Sequence, residues 1–391
     1  MSISSKIAPY ICQIVSQLQN AGYETYLVGG AVRDILIKRE PKDYDISTSA
    51  TPEQIRSVFG KRRAIIIGRR FKIVHLYHGR EIIEISTFRA APEQQNPSNA
   101  PKPDSSLLVM RDNEYGTSYN DACRRDFTVN AIFYDPTIKS ITDYTKSGLK
   151  DLSAGLVRVI GDPYIRFSED PVRMLRAFKL VAQYNFTLTE ETEKALFALL
   201  PQITLCSKSR LCLELEKILR KSYSDKILQA FQEHGFLQHF LPNLSKDWNS
   251  EPAQTAVQLL SYHCKRLEEE QCPDYLSTVL ALIALPFVNK QMTDDATNCV
   301  WRYYPGIDKD IRNIIFYIFS PYTFPKFIIS AVTDAIILQQ RFYKKDRPAK
   351  TRKHPHFQIA REIAIDLNNH SWGIKDLMNY WKPIKQKKST S

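Results

Sequence analysis

Two aspartates one residue apart, Asp43 and Asp45, follow closely on the apolar pair Leu27-Val28 and the glycine pair Gly29-Gly30. Side chains alternate along a strand, so Asp43 and Asp45 are expected on one face, with Tyr44 on the other. Carboxylates gathered in this way suit a hard cation such as Mg²⁺ that carries phosphate oxygens. Gly29 and Gly30 end the predicted strand and open a helix containing Arg33, leaving backbone N–H groups unobstructed for a triphosphate. A lone Asp-x-Asp reads as a solvated acidic loop, but behind Gly-Gly and Arg33 it points to nucleotidyl transfer. Joining a nucleotide to a 3′-hydroxyl requires in-line attack on the α-phosphate as pyrophosphate leaves. Two metal ions serve that reaction by lowering the hydroxyl's pKa and neutralising the departing oxygens. Asp43 and Asp45 are the natural ligands.

Sites of this kind recruit a third acid from a neighbouring strand. Glu84 lies in Glu81–Thr87, where Ile83 and Ile85 take the opposite face, and Asp126 lies in Arg124-Arg125-Asp126-Phe127-Thr128-Val129-Asn130. Spacing alone does not separate them. Arg33, Arg124 and Arg125 have the fork geometry that clamps phosphate, or they pair with Asp34 and Asp126. Asn130 can bond a ribose, bind metal or cap a turn. Further on, Asp170 reads as an N-cap and Pro171 as the first helical residue. Arg173 and Arg176 then share a helix face with Asp170, an acceptor and donors that could read a nucleobase edge.

The elements that must position these residues change character along the chain. Strands are predicted at Glu24–Val28, Tyr44–Ser47, Arg63–Ile67, Phe71–Tyr77, Glu81–Thr87 and Val129–Tyr134. Helices fall at Ala31–Ile37 and Pro52–Phe59, and Ile7, Ile11, Ile14, Val15 and Leu18 trace one face of another. Ala90–Ser106 has a loop composition. From about Asp151 amphipathic helices take over, the clearest being Asp170–Tyr184, Glu190–Leu200 and Leu211–Lys221. A mixed α/β head followed by a helical array is therefore expected. With 391 residues, 43% of them hydrophobic, the chain has material for several domains. Its net charge of +12 fits a polyanionic partner. The seven cysteines form no CxxC pair, and His354-Pro355-His356 reads as a loop, so neither a disulfide framework nor a zinc site is expected. No apolar stretch reads as membrane-spanning and no signal peptide is evident, which gives a cytoplasmic expectation. The basic runs Arg341–Lys353 and Lys382–Lys388 close the chain.

Taken in order, LVGGAVRD (27–34), DYD (43–45), RRDFTVNAIFYD (124–135) and EDPVRMLRA (169–177) resemble the class II nucleotidyltransferase family, which includes tRNA CCA-adding enzymes and bacterial poly(A) polymerases. The resemblance implies a polymerase-β-like palm head (1–150), a helical neck with a base pocket (151–220), a helical body and tail that bind RNA (221–380) and a basic tail (381–391). It implies that Asp43 and Asp45 hold two Mg²⁺ ions and that Asp126, ranked above Glu84, is the third acid. Gly29, Gly30, Arg33, Arg125, Asn130, Asp170, Arg173 and Arg176 would contact ATP. The segment around Arg69-Arg70, together with Leu108–Gly116 and Glu84–Arg89, is similar to the poly(A) branch. Arg69, Arg70 and Arg124 would then lie along RNA phosphates, and AMP would be added to RNA 3′ ends without a template. CCA addition to tRNA is the alternative, and an RNA-binding protein with an inactive head is a third reading.

Overall fold

The computed structural model describes residues 6–68, 72–90, 115–297, 299, 301, 303–369 and 380–381. Arg69, Arg70, most of Leu108–Gly116, the Ala90–Ser106 stretch beyond Ala90 and the Lys382–Lys388 run lie outside the described residues. The chain divides into two compact units, Met1–Leu199 and Leu200–Ser391.

The alternating runs of the first unit form one mixed sheet of β1 (Thr25–Val28), β2 (Asp45–Thr48), β3 (Ala64–Ile67), β4 (Ile73–His78), β5 (Glu81–Thr87), β6 (Ile132–Asp135) and β7 (Ser140–Asp143). Their spatial order is β3-β4-β5-β2-β1-β6-β7, and only β2 and β5 pair in parallel. Among the described residues the helices that accompany them are α1 (Pro9–Asn20), α2 (Gly30–Leu36), α3 (Pro52–Phe59), α4 (Ser118–Arg124), α5 (Gly148–Ala154), α6 (Pro163–Glu169), α7 (Val172–Tyr184) and α8 (Glu190–Leu199). The apolar stripe expected near the N-terminus is the buried face of α1, with Ile11, Ile14, Val15 and Leu18 inside. Thr51 caps α3 in a reciprocal box with Gln54, satisfying two backbone N–H groups at the helix start.

Three local differences have physical causes. The strand expected from Val129 starts only at Ile132, because Thr128–Asn130 winds into a 3-10 turn. It continues into β7, which a polar Ser-Ile-Thr-Asp run does not advertise. Asp135 makes the reversal by accepting the Thr137 backbone N–H at 2.8 Å, as turn aspartates do. Asp170 does accept a helix-start N–H, that of Val172 at 3.2 Å, but Pro171 sits at the cap, so the helix starts one residue later than expected.

The second unit is helical: α9 (Lys208–Leu219), α10 (Ser224–Glu233), α11 (Leu237–Phe240), α12 (Pro242–Lys246), α13 (Glu251–Glu268), α14 (Leu276–Thr293), α15 (Ile307–Phe319), α16 (Lys326–Lys344), α17 (Pro348–Arg352) and α18 (Phe357–Asn369). Contrary to the sequence reading, α14 is long and apolar enough to cross a membrane, the one such helix among the described residues. It is 72% buried within the protein, and α13, α15, α16 and α18 pack around it. A helix apolar on all sides is what the centre of such an array requires.

Beside that core α13 and α18 share a buried charge network. Arg266 donates to Asp366 at 2.8 Å and to Glu362, and His263 Nδ1 lies 2.9 Å from Asp366. Removing one member leaves charge buried without a partner, which costs far more than the intact network contributes. Arg266→Met is expected to lower the unfolding free energy by about 3–5 kcal/mol. Urea titration followed by circular dichroism reads this out. An unchanged midpoint would mean that water reaches the two carboxylates.

Candidate active site

β1 is central in the sheet and ends beside β2 with Val28 opposite Asp45. On its other side β2 runs parallel to β5, with Asp45 in register with Glu84. Cross-strand partners share a face, so Asp45 and Glu84 stand side by side, with Ser47 and Ser86 one step along. Asp43 does not share the strand as expected. It lies in the bend before β2 and is exposed. Its charge still acts on Asp45. The packing around Asp45 raises its carboxyl above the usual aspartate range, Arg125 opposes that rise, and Glu84 and Asp43 add to it. Three acids, one of them with heightened proton affinity, make a site with unbalanced negative charge. The His75 imidazole is 3.5 Å from Glu84.

Gly29 carries the chain out of β1 at φ +73°, in the left-handed region. A Cβ there would come within 3.2 Å of Arg125 Nη1 and 3.7 Å of Asp45 Oδ2. The Gly29 backbone therefore lies against both the acids and Arg125, and Gly30 opens α2 directly behind it. Arg125 is held by Asp121 of α4 at 2.9 Å and by the Ser47 hydroxyl at 3.1 Å. Its guanidinium lies over the Phe133 ring, and its buried Nε has no hydrogen-bond partner.

Arg33 makes the Asp34 pair that its spacing allowed. Its side chain is buried, with Nε and Nη2 donating to Asp34 at 3.0 and 2.8 Å and Nη1 to Asn130 Oδ1 at 2.5 Å. Nη2 also meets the Tyr184 hydroxyl, and the guanidinium stacks 4.3 Å from the centre of that ring. Tyr184 in turn donates to Asp34 at 2.8 Å. Each guanidinium nitrogen is thus engaged within the protein. The Asn130 side-chain carbonyl is occupied by Arg33, which leaves its NH₂ without a role in that contact.

Asp126 also has company other than the acids. It accepts from Arg173 Nε at 2.9 Å and pairs with Arg176. Burial pushes its carboxyl upward, but Arg176 and Arg173 outweigh that and hold it below the usual aspartate range. Arg173 also reaches Glu169 at 3.0 Å, and Arg176 lies 3.9 Å from Asp170. Arg173 and Arg176 do share a face of α7, as their spacing requires, and the segment EDPVRMLRA gathers round Asp126. Arg166, which the sequence reading passed over, belongs to the same cluster. It donates to Glu169 at 3.1 Å and to the carbonyls of Arg124 and Arg125. Arg124 directs Nη1 to the Ala90 carbonyl at 3.4 Å. Tyr184 was missed as well, since it acts across a long sequence gap, and so was Asp121, although its i,i+4 spacing to Arg125 was a readable signal.

Comparison with known proteins agrees with these segments. Residues 25–158 match the family model described as the poly A polymerase head domain, and residues 185–247 match the one described as the probable RNA and SrmB-binding site of polymerase A. Poly(A) polymerase I of Salmonella typhi is 31% identical over 97% of this chain and 83% of its own length. Poly(A) polymerase I of Haemophilus influenzae is 41% identical over 59% of this chain, and the match spans about half (51%) of that relative. The crystal structure of the Bacillus stearothermophilus CCA-adding enzyme in complex with CTP superposes with a TM-score of 0.65 at 22% identity. That match covers 96% of this chain and 83% of the other, and it establishes a shared fold.

Two expectations follow from the clusters. Asp126 titrates lower in the folded chain than in the unfolded one, so its contribution to stability is complete above the ordinary aspartate value of about 4 and is lost as pH falls toward the folded value. The stability gap between the parent and Asp126→Asn is therefore widest at neutral pH and closes below about pH 4. A gap independent of pH would mean that Asp126 contributes by shape alone. Tyr184→Phe keeps the ring under Arg33 and deletes the hydroxyl between Arg33 and Asp34. It should cost about 1–3 kcal/mol, measured by denaturant unfolding. Parent-like stability would show that a water takes the hydroxyl's place.

Proposed function

Because the chain belongs to the bacterial poly(A) polymerase I family of nucleotidyltransferases, we propose that it adds AMP from ATP to RNA 3′ ends without a template and with Mg²⁺. The observation that carries this reading is the parallel β2–β5 register, which aligns Asp45 with Glu84 beside Asp43. Three carboxylates with excess negative charge are a hard, oxygen-rich donor set of the kind Mg²⁺ takes. Asp43, Asp45 and Glu84 would hold two Mg²⁺ ions, which would lower the pKa of the primer hydroxyl and neutralise charge on the pyrophosphate that leaves.

The remaining residues bind and orient. Backbone N–H groups of the Gly29–Gly30 turn receive the triphosphate, and Arg125 supplies positive charge at its edge. Asn130 donates its NH₂ to the nucleotide, oriented by Arg33. Asp170, Arg173 and Arg176 shape the base pocket, with Asp126 and Glu169 fixing the two arginines. Asp126 is thus a positioning residue, and the third catalytic acid is Glu84. Arg69, Arg70 and Arg124 contact RNA phosphates. Residues 1–150 form the catalytic head, 151–220 the neck, 221–380 the body and tail, and 381–391 a basic extension. The net charge of +12 and the match over 185–247 support RNA as the partner, gripped through its backbone in the cytoplasm.

Primer extension tests the proposal. A generic single-stranded RNA and a tRNA lacking its terminal CCA receive ATP, CTP or both, with Mg²⁺. Long A-ladders on the generic RNA with ATP alone are expected. Three additions confined to the tRNA and requiring CTP would make the protein a CCA-adding enzyme instead. Asp43→Asn and Asp45→Asn should abolish addition while RNA binding persists. Glu84→Gln should lower the rate without lowering thermal stability, and full activity in that variant would return the third acid to Asp126.

A further inference from the structure

Asp334 of α16 meets His354 and His356, which stand in the turn between α17 and α18, at a place that none of the foregoing chemistry uses. Each side chain offers one metal-ligating atom, and these atoms all lie within 4.8 Å of one another. His356 Nδ1 and Asp334 Oδ2 are 2.9 Å apart. Two ligands of one tetrahedral ion with bonds near 2.0–2.1 Å are separated by about 3.3 Å, so this pair needs little movement to share a cation. The third donor comes from local chain geometry. His354 Nδ1 accepts the backbone N–H of His356 at 3.2 Å, folding the His-Pro-His turn so that the two rings lie 5.7 Å apart. Pro355 fixes φ between them and reduces the entropy lost when both rings are held.

The surroundings suit an ion. All three residues are half-buried, which limits competition by water. An ion pair between His356 and Asp334 accounts for two of the donors. The His-Pro-His turn carries the third, His354, to the same place.

We propose that Asp334, His354 and His356 form a binding site for a first-row transition-metal dication of the zinc type, which ties the α17–α18 turn to α16. Two imidazoles and one carboxylate are a borderline-soft set that takes Zn²⁺ or Co²⁺ in preference to Mg²⁺. A fourth position remains for water. The site spans two elements of the helical unit, so bound metal adds to that unit's stability, as any ligand of the folded state does.

The test uses the full chain, freed of any affinity tag and dialysed against chelator. It is titrated calorimetrically with Zn²⁺ while millimolar Mg²⁺ occupies carboxylate sites, and Co²⁺ is followed by visible absorption. One Zn²⁺ per chain is expected, with the absorption of tetrahedral cobalt and a raised midpoint for thermal unfolding. Asp334→Asn, His354→Gln and His356→Gln should each weaken uptake by about 10-fold or more, with circular dichroism and primer extension unchanged. Equal uptake by the His354→Gln/His356→Gln double variant would overturn the proposal by placing the ion elsewhere, for instance on the cysteines. Absence of uptake by the parent would overturn it outright.

Discussion

The first unit is organised around holding like charges together. β2 and β5 run parallel, so Asp45 and Glu84 stand abreast on one face, and Asp43 approaches from the bend before β2. Carboxylates so placed repel one another, and the surrounding protein withdraws part of the solvent that would screen them. Desolvation raises the proton affinity of Asp45, Arg125 opposes that rise, and repulsion from Glu84 and Asp43 adds to it. A flexible loop would relax by swinging the acids apart. A strand paired on both sides cannot, because moving Asp45 would break its register with Val28 and with Glu84 together. The sheet therefore preserves an electrostatic debt that a bound cation can discharge.

The arginines around this cluster behave differently from a simple set of phosphate clamps. Arg33 is closed in by Asp34, Asn130 and Tyr184, and Arg173 and Arg176 converge on Asp126. Buried pairs of this kind give little net stability, because desolvation offsets the attraction. Their contribution is geometric. Tyr184 at the end of α7 and Arg173 near its start fasten one helix to the α2 start and to the segment after α4. A helix held at both ends keeps Arg173 and Arg176 in a fixed orientation toward Asp126 and Asp170. Arg125 pairs with Asp121 in the same way, but it also acts on Asp45 and keeps a buried Nε without a partner.

How much of this the sequence discloses follows from the range of each interaction. Asp43, Asp45, Gly29 and Gly30 are readable because their chemistry depends on residue types at short spacing. Which of Glu84 and Asp126 stands beside Asp45 is not, since it depends on which strand pairs beside β2 and in what register. Asp34 was visible as an alternative partner for Arg33, being its neighbour, whereas Tyr184 was not. β7 escaped because a short polar strand carries no alternating pattern, and Asp135 initiates its hairpin without an Asn-Gly or Asp-Gly signal. His354 and His356 do occupy a turn, as expected of them. What could not be foreseen is Asp334, contributed by a helix that packs back on that turn.

Gly29 shows why such sites resist redesign even where the motif is plain. The β1–β2 register places Val28 opposite Asp45, so the next residue must leave the sheet beside the carboxylate. Leaving there requires a positive φ, which disfavours any side chain on conformational grounds. Independently, the space a Cβ would need borders Arg125 and Asp45. A side chain would therefore strain the turn and press on the cation that tempers the acidic cluster. Backbone conformation and site electrostatics impose the same residue for separate reasons. The glycine is in that sense part of the charge distribution: its missing side chain is what lets Arg125 stand close enough to matter.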